Sequence, residues 1–227
     1  MAKSQNLNFT QNLANPAVRF VSSDLLSVVA VYPNNNGSNL TAGTRTFTAA
    51  GGTVQTGGSA ATWTATVTDS RVIGNVTITN YGQYLATPTA SGNAATVDSG
   101  SSNATFNLLV HYYKTLYTAT TDDAVVKAIN VASSDTAARI MSLWIADSAT
   151  ATPRLIGAVN IPANSGSPTS GTAATVDLLG GTLMPSLPYD ANGKRILPLK
   201  AGQVLAVSVP AVTAATRIDV NAMVEEY

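Results

Sequence analysis

The sequence predicts an all-β protein: a β-sandwich or jelly-roll-like domain that carries a small Thr/Gly/Ala-rich β insert and is preceded by an N-terminal arm. Three observations predict it. From residue 109 to residue 227, short β-type runs alternate with turns of Gly, Pro, Asn, Asp and Ser. No amphipathic helical pattern of useful length interrupts them. Thr, Ser, Asn, Ala and Gly fill the places that charged residues usually take, a mixture that suits strands and turns better than helices. With 227 residues, the chain can bury roughly 70% of the surface exposed when unfolded, enough for a core without crosslinks.

The elements follow in order. Residues 1–16 are polar and rich in Asn and Gln, with Leu7, Phe9 and Leu13 as isolated apolar positions before Pro16. Such a segment cannot fold alone, and it reads as an arm whose apolar residues dock on a neighbour, or as an unstructured terminus. Two strands are expected at 17–21 and 25–32, the second ended by Pro33-Asn-Asn-Asn-Gly37. From residue 40 to 107 the texture becomes Thr, Ala, Gly and Ser, the span assigned to the insert. There Ala61-Thr-Trp-Thr-Ala-Thr-Val-Thr68 alternates strictly, so Trp63, Ala65 and Val67 share a buried face and the threonines a wet one. Val76-Thr-Ile-Thr79 repeats the alternation, and a turn with Tyr81, Tyr84 and Pro88 follows.

The sandwich is assigned to residues 17–39 and 108–227. In 104–113, Phe106, Leu108, Val110 and Tyr112 fall on one face and Asn107, Leu109, His111 and Tyr113 on the other. Further strands are expected at 124–131, 139–146, 155–161, 203–209 and from Arg217 to Val224. Loops at Pro162 to Gly171 and Tyr189 to Gly193 separate them.

Composition narrows the function. There is no cysteine, which removes disulfides, zinc–thiolate sites and thiol catalysis together. Lys plus Arg and Asp plus Glu number 12 each, so no net field favours nucleic acid or an anionic membrane. Charged residues make up 11% of the chain, against about 25% in an average soluble domain. So little charge at zero net charge favours association. No run of about 20 apolar residues suits a membrane span, and the first twenty residues lack the apolar stretch of a signal peptide. The expectation is a chain made in the cytoplasm.

Candidate chemistry is sparse. His111 is the single histidine; no Gly-x-Ser-x-Gly elbow accompanies it, and an interface or partly buried role suits a mid-strand position better. Asp122-Asp123 and Asp190-Ala-Asn192-Gly193 are the best calcium candidates, but residues 194–199 supply no acid, and Asn-Gly is itself a turn signal. Both glutamates, Glu225 and Glu226, are terminal, and nothing selects a carboxylate pair for glycoside hydrolysis. No catalytic residue, metal or cofactor is therefore expected, and the chain is read as a non-enzyme. Tyr81, Tyr84, Tyr112, Tyr113 and Tyr117 could instead stack on sugar rings, or pack in a core or subunit interface.

The turns carry a resemblance. Tyr117-Thr-Ala119, Ser133-Ser-Asp-Thr136, Pro162-Ala-Asn-Ser-Gly166, Leu199-Lys-Ala-Gly-Gln203 and the closing run from Arg217 to Tyr227 resemble small β-sandwich structural proteins of tailed bacteriophages. Gly82-Gln-Tyr84-Leu-Ala-Thr-Pro88-Thr89 after a Val-Thr-Ile-Thr strand is similar to the β inserts of phage virion proteins, although Tyr81-Gly-Gln-Tyr84 departs from the usual Gly-Ser-Gly-Tyr form. The resemblance implies a virion structural protein. Capsid decoration (cement) is the leading place for it, with a collar or tail-fibre-base position, or a carbohydrate-binding module, as the alternatives. The implied partners are the major capsid protein or other virion proteins and further copies of this chain, a trimer suiting capsid symmetry positions. Leu7, Phe9, Leu13, Tyr81 and Tyr84 are the expected partner-binding residues.

Overall fold

The computed structural model describes residues 12–99, 103–149, 151–166, 175–180, 184 and 187–227. Among them there is no helix; the chain is all-β, with a β-sandwich-like arrangement of antiparallel sheets. The strands in chain order are β1 (Asn12–Ala14), β2 (Ala17–Val21), β3 (Leu26–Asn35), β4 (Gly43–Thr48), β5 (Thr53–Val54), β6 (Thr62–Thr68), β7 (Arg71–Asn80), β8 (Tyr84–Ala86) and β9 (Thr96–Val97). They continue with β10 (Thr105–Thr118), β11 (Ala124–Ser133), β12 (Arg139–Ala146), β13 (Arg154–Ile161), β14 (Val176–Asp177), β15 (Leu197–Leu199), β16 (Val204–Val209) and β17 (Arg217–Glu226).

The first sheet runs β1-β17-β11-β14, with β2 also on β17 and β15 also on β11. Its outer strand is split. β2 pairs Ala17–Val21 with Asn221–Arg217, β1 pairs Asn12–Ala14 with Glu226–Val224, and the amide of Ala222 donates to the Pro16 carbonyl between them. Pro16 has no N–H to give a ladder, so an edge position suits it. The arm expected over 1–16 is thus shorter than read: its last residues join the chain's own sheet, because Ala14 packs on the core and β17 offers unpaired backbone there.

The second sheet runs β13-β12-β16-β10-β3-β8-β5 and the third β7-β6-β4-β9. The first and second sheets enclose the larger core, which includes Phe20, Ile129, Leu143, Leu205 and Val220. The third sheet encloses a second core with the near ends of β3 and β10, joining Phe47, Trp63 and Tyr84 to Val28, Phe106 and Leu108. Residues 40–107 therefore supply one sheet of that core and add β5 and β8 to the other wall, which is otherwise built by β3 and β10. Trp63, Phe47 and Phe106 meet there, Trp63 and Phe106 edge to face with ring centres 5.0 Å apart. The Trp63 indole N–H has no hydrogen-bond partner among the described residues, so this side chain contributes volume and ring contact.

β6 buries Trp63, Ala65 and Val67, the face read from its alternation. β3 is longer than expected. Pro33 stands opposite Phe106 where the register of β10 shifts, a bulge that tolerates a residue without an N–H. The expected loop at 162–171 is described to Gly166; the remainder lies outside the described residues. No helix of the described residues is long and apolar enough to cross a membrane.

Candidate functional site

His111 lies on β10 facing Ser208 of β16. Its Nδ1 is 3.0 Å from Ser208 Oγ, and the Trp144 indole N–H donates to the same oxygen at 2.8 Å. With the hydroxyl accepting from Trp144, its own proton is available to Nδ1. Ser208 is fully buried and His111 nearly so, and burial lowers the histidine pKa, which favours a neutral ring. A serine and a histidine are thus in contact, yet among the described residues no carboxylate bonds to the imidazole, and Oγ belongs to a fully buried residue. The trio ties three strands together.

The aspartates are occupied as turn residues. Asp190 Oδ1 accepts the amides of Asn192 and Lys194 at 2.9 and 2.8 Å, while Gly193 takes φ +75° and Tyr189 pairs with Arg195. A side chain at Gly193 would be strained by that φ. The Lys194 and Asn192 amides hold the Asp190 pKa below its ordinary value. Asp123 Oδ1 accepts the amide of Ala201 at 2.9 Å. Among the described residues, no three His, Asp or Glu side chains gather as a metal site would require.

The partner-binding candidates separate into two places and one correction. Leu7 and Phe9 lie outside the described residues. Leu13, on β1, is 55% exposed. It stands at the free edge of the first sheet, opposite Glu225, pointing away from the core that takes Ala14. Tyr84 is 0% exposed and is corrected: it is a core residue with no face for a partner. Its hydroxyl accepts the amide of Ala61 at 2.7 Å, so the ring is buried without stranding its polar end. Gly82 permits this: at φ +71° a Cβ there would lie 2.4 Å from the Tyr84 ring and 2.7 Å from the Ala61 nitrogen.

Tyr81 is half-buried against the second core. Its ring stacks on Tyr113, centres 5.6 Å apart and planes 15° apart, and its hydroxyl donates to the Ala151 carbonyl at 3.1 Å. The sequence points to these tyrosines but not to their pairing, which depends on β10 passing beneath the segment that links β7 to β8. Tyr112 donates to the Ser22 carbonyl and Tyr117 to Glu226, both intramolecular.

Large apolar side chains also stand exposed on the outer faces. Ile140 on β12 and Leu155 on β13 occupy neighbouring strands of the second sheet, while Met223 on β17 lies on the first. Beside Met223, Lys127 pairs with Glu225 at 3.0 Å. The pairing leaves little net charge there to oppose an approaching surface. No protein-family model matches the chain, and no curated protein is significantly similar to it.

Proposed function

We propose that this chain is a structural subunit of a bacteriophage virion, a capsid decoration protein that binds the outside of the shell and holds neighbouring capsid subunits together. The observation that carries the reading is the β1 edge. Leu13 stands exposed at the open edge of the first sheet, and the sequence before it holds two further apolar residues, Leu7 and Phe9. An exposed apolar residue at an open sheet edge is suited to lie against another chain. Ile140, Leu155 and Met223 add apolar contact area on a chain with few charges.

The mechanism is thermodynamic. Each contact of standard size buries roughly 1,600 Å², and the interface free energy is added to shell contacts that packaged nucleic acid would otherwise push apart. The partners are the major capsid protein and other copies of this chain.

Reconstitution tests it. Shells lacking the protein are incubated with the full chain or with a chain lacking residues 2–11, and occupancy is measured by sedimentation. The full chain is expected to saturate the shells and the truncated chain to bind at least about tenfold more weakly, the loss of roughly 1.4 kcal/mol. Equal occupancy would remove the arm from the interface; no binding by the full chain would contradict the capsid reading.

A further inference from the structure

The stacked Tyr81 and Tyr113 line a cleft of about 450 Å³ between the insert and the sandwich, with Asn80, Gln83, Ser27 and Ala149 among its other walls. Among the described residues, no charged side chain lines it. Its volume falls within the range of small-ligand sites.

The walls are set before any ligand arrives. The Tyr81 carbonyl accepts the amide of Val28 at 2.8 Å, and its hydroxyl is anchored on Ala151. Asn80 donates to Ser59 Oγ and accepts the amide of Gly82, each at 2.8 Å. Ser27 Oγ donates to the Gly82 carbonyl at 3.2 Å. Two polar ends are left over: the Gln83 carboxamide and the Tyr113 hydroxyl make no hydrogen bond among the described residues. A carboxamide both donates and accepts, as a phenol does. An apolar ring wall beside neutral groups of both kinds matches a ligand with C–H faces and uncharged hydroxyls. Rigid walls also reduce the ordering cost of binding.

We propose that this cleft binds a neutral saccharide, one sugar face against the Tyr81–Tyr113 wall and its hydroxyls on Gln83 and Tyr113. The site is independent of the shell contact. It faces outward from the seam of insert and sandwich, and a failure here leaves the decoration reading where it stands.

Saturation-transfer NMR on the full chain tests it, with glucose, galactose, N-acetylglucosamine, maltose and glucuronate at about 10 mM, a concentration that reveals millimolar dissociation constants. At least one neutral sugar is expected to receive saturation and to do so more strongly than glucuronate. Gln83→Ala, on an exposed turn, is expected to weaken binding about tenfold, and Tyr81→Ala to abolish it, with circular dichroism confirming that each variant is folded. If Tyr81→Ala does not fold, Gln83→Ala decides the matter. No transfer to any neutral sugar, preference for glucuronate, or undiminished binding by folded Gln83→Ala would overturn the proposal.

Discussion

Asp135→Ala is expected to destabilise the protein by about 3–5 kcal/mol, the cost of breaking a buried charge pair, and to lower the thermal midpoint by roughly 6–20 °C at this chain length. The Asp135 side chain is 0% exposed. Its carboxylate accepts Arg139 Nε at 2.8 Å, the Thr213 hydroxyl at 2.6 Å, and the amides of Thr213 and Ala137 at 3.0 and 2.9 Å. Arg139 Nη2 also donates to Thr213 Oγ1 at 2.8 Å. The loop from β11 to β12 is thereby fastened to the loop from β16 to β17, both of which cross between the two sheets of the sandwich. The Asp135 carbonyl accepts the amide of Asn164, which adds the loop after β13. Removing the carboxylate strands a largely buried guanidinium and unties the β11–β12 and β16–β17 loops from one another.

The same group has a pH signature. Burial is the largest influence on its pKa and acts to raise it, but Arg139, the Thr213 hydroxyl and the two amides together outweigh burial and hold it well below the usual carboxylate range. The folded state therefore binds this proton less readily than the unfolded chain. Its contribution is complete above the unfolded aspartate pKa of about 3.9 and is lost as pH falls from there through the folded value. Urea unfolding across pH 2–7, a window of about five units around that pKa, is expected to show a smaller acid-induced loss in Asp135→Asn than in the parent. Equal slopes below pH about 4 would show that Asp135 does not carry the acid sensitivity.

Trp63→Ala is expected to cost about 3–5 kcal/mol, as large-to-small aromatic substitutions in cores do. More informative than the size is how the loss is distributed. Phe106, which packs on Trp63, belongs to β10, and the far end of β10 places Leu116 and Tyr117 in the sandwich core. The insert and the sandwich share this strand and also β3. Heat or urea is therefore expected to unfold Trp63→Ala in one transition, lowered as a whole, with tryptophan fluorescence and far-ultraviolet dichroism coinciding. An early transition that melts residues 40–107 and leaves the sandwich at the parent's midpoint would show instead two independent units.

Strand identity was legible in the sequence where alternation is uninterrupted. β2 and β12 have the bounds that their apolar runs indicate, and β6 buries the three side chains that its alternation selects. Bulges defeat the same pattern. In β11 the core takes Ala124 and Val126, then, after the register shift to Ala128, Ile129 and Val131. A period of two cannot anticipate the change, because the extra residue is set by the partner strand. Sheet order was hidden for a related reason: β10 lies between β16 and β3, contacts closed across long stretches of chain.

The candidate site was less legible than the fold. Tyr84, with Gly and Pro nearby in the sequence, reads as part of a surface turn; the strand β8 that it opens and the Ala61 amide, 23 residues earlier, explain how a tyrosine can be swallowed whole. Asp135 reads as one more residue of a Ser/Thr turn, since Thr213 is 78 positions away. Tyr81 and Tyr113 are visible singly, but their stack and the uncharged cleft beside it depend on how the insert folds back over β10. Leu13 was legible as an apolar residue in a polar stretch, and its exposure at an open edge is what the fold adds.

As a repeated subunit on the outside of a capsid, this chain is proposed to be present in many copies per particle. The most direct measurement is its copy number in purified particles made by the genome that encodes it, by quantitative mass spectrometry against the major capsid protein. Decoration at symmetry positions gives on the order of hundreds of copies per particle, in a fixed ratio to the capsid protein. About six to eighteen copies would move it to a collar or tail ring, and absence from the particle would contradict the virion reading.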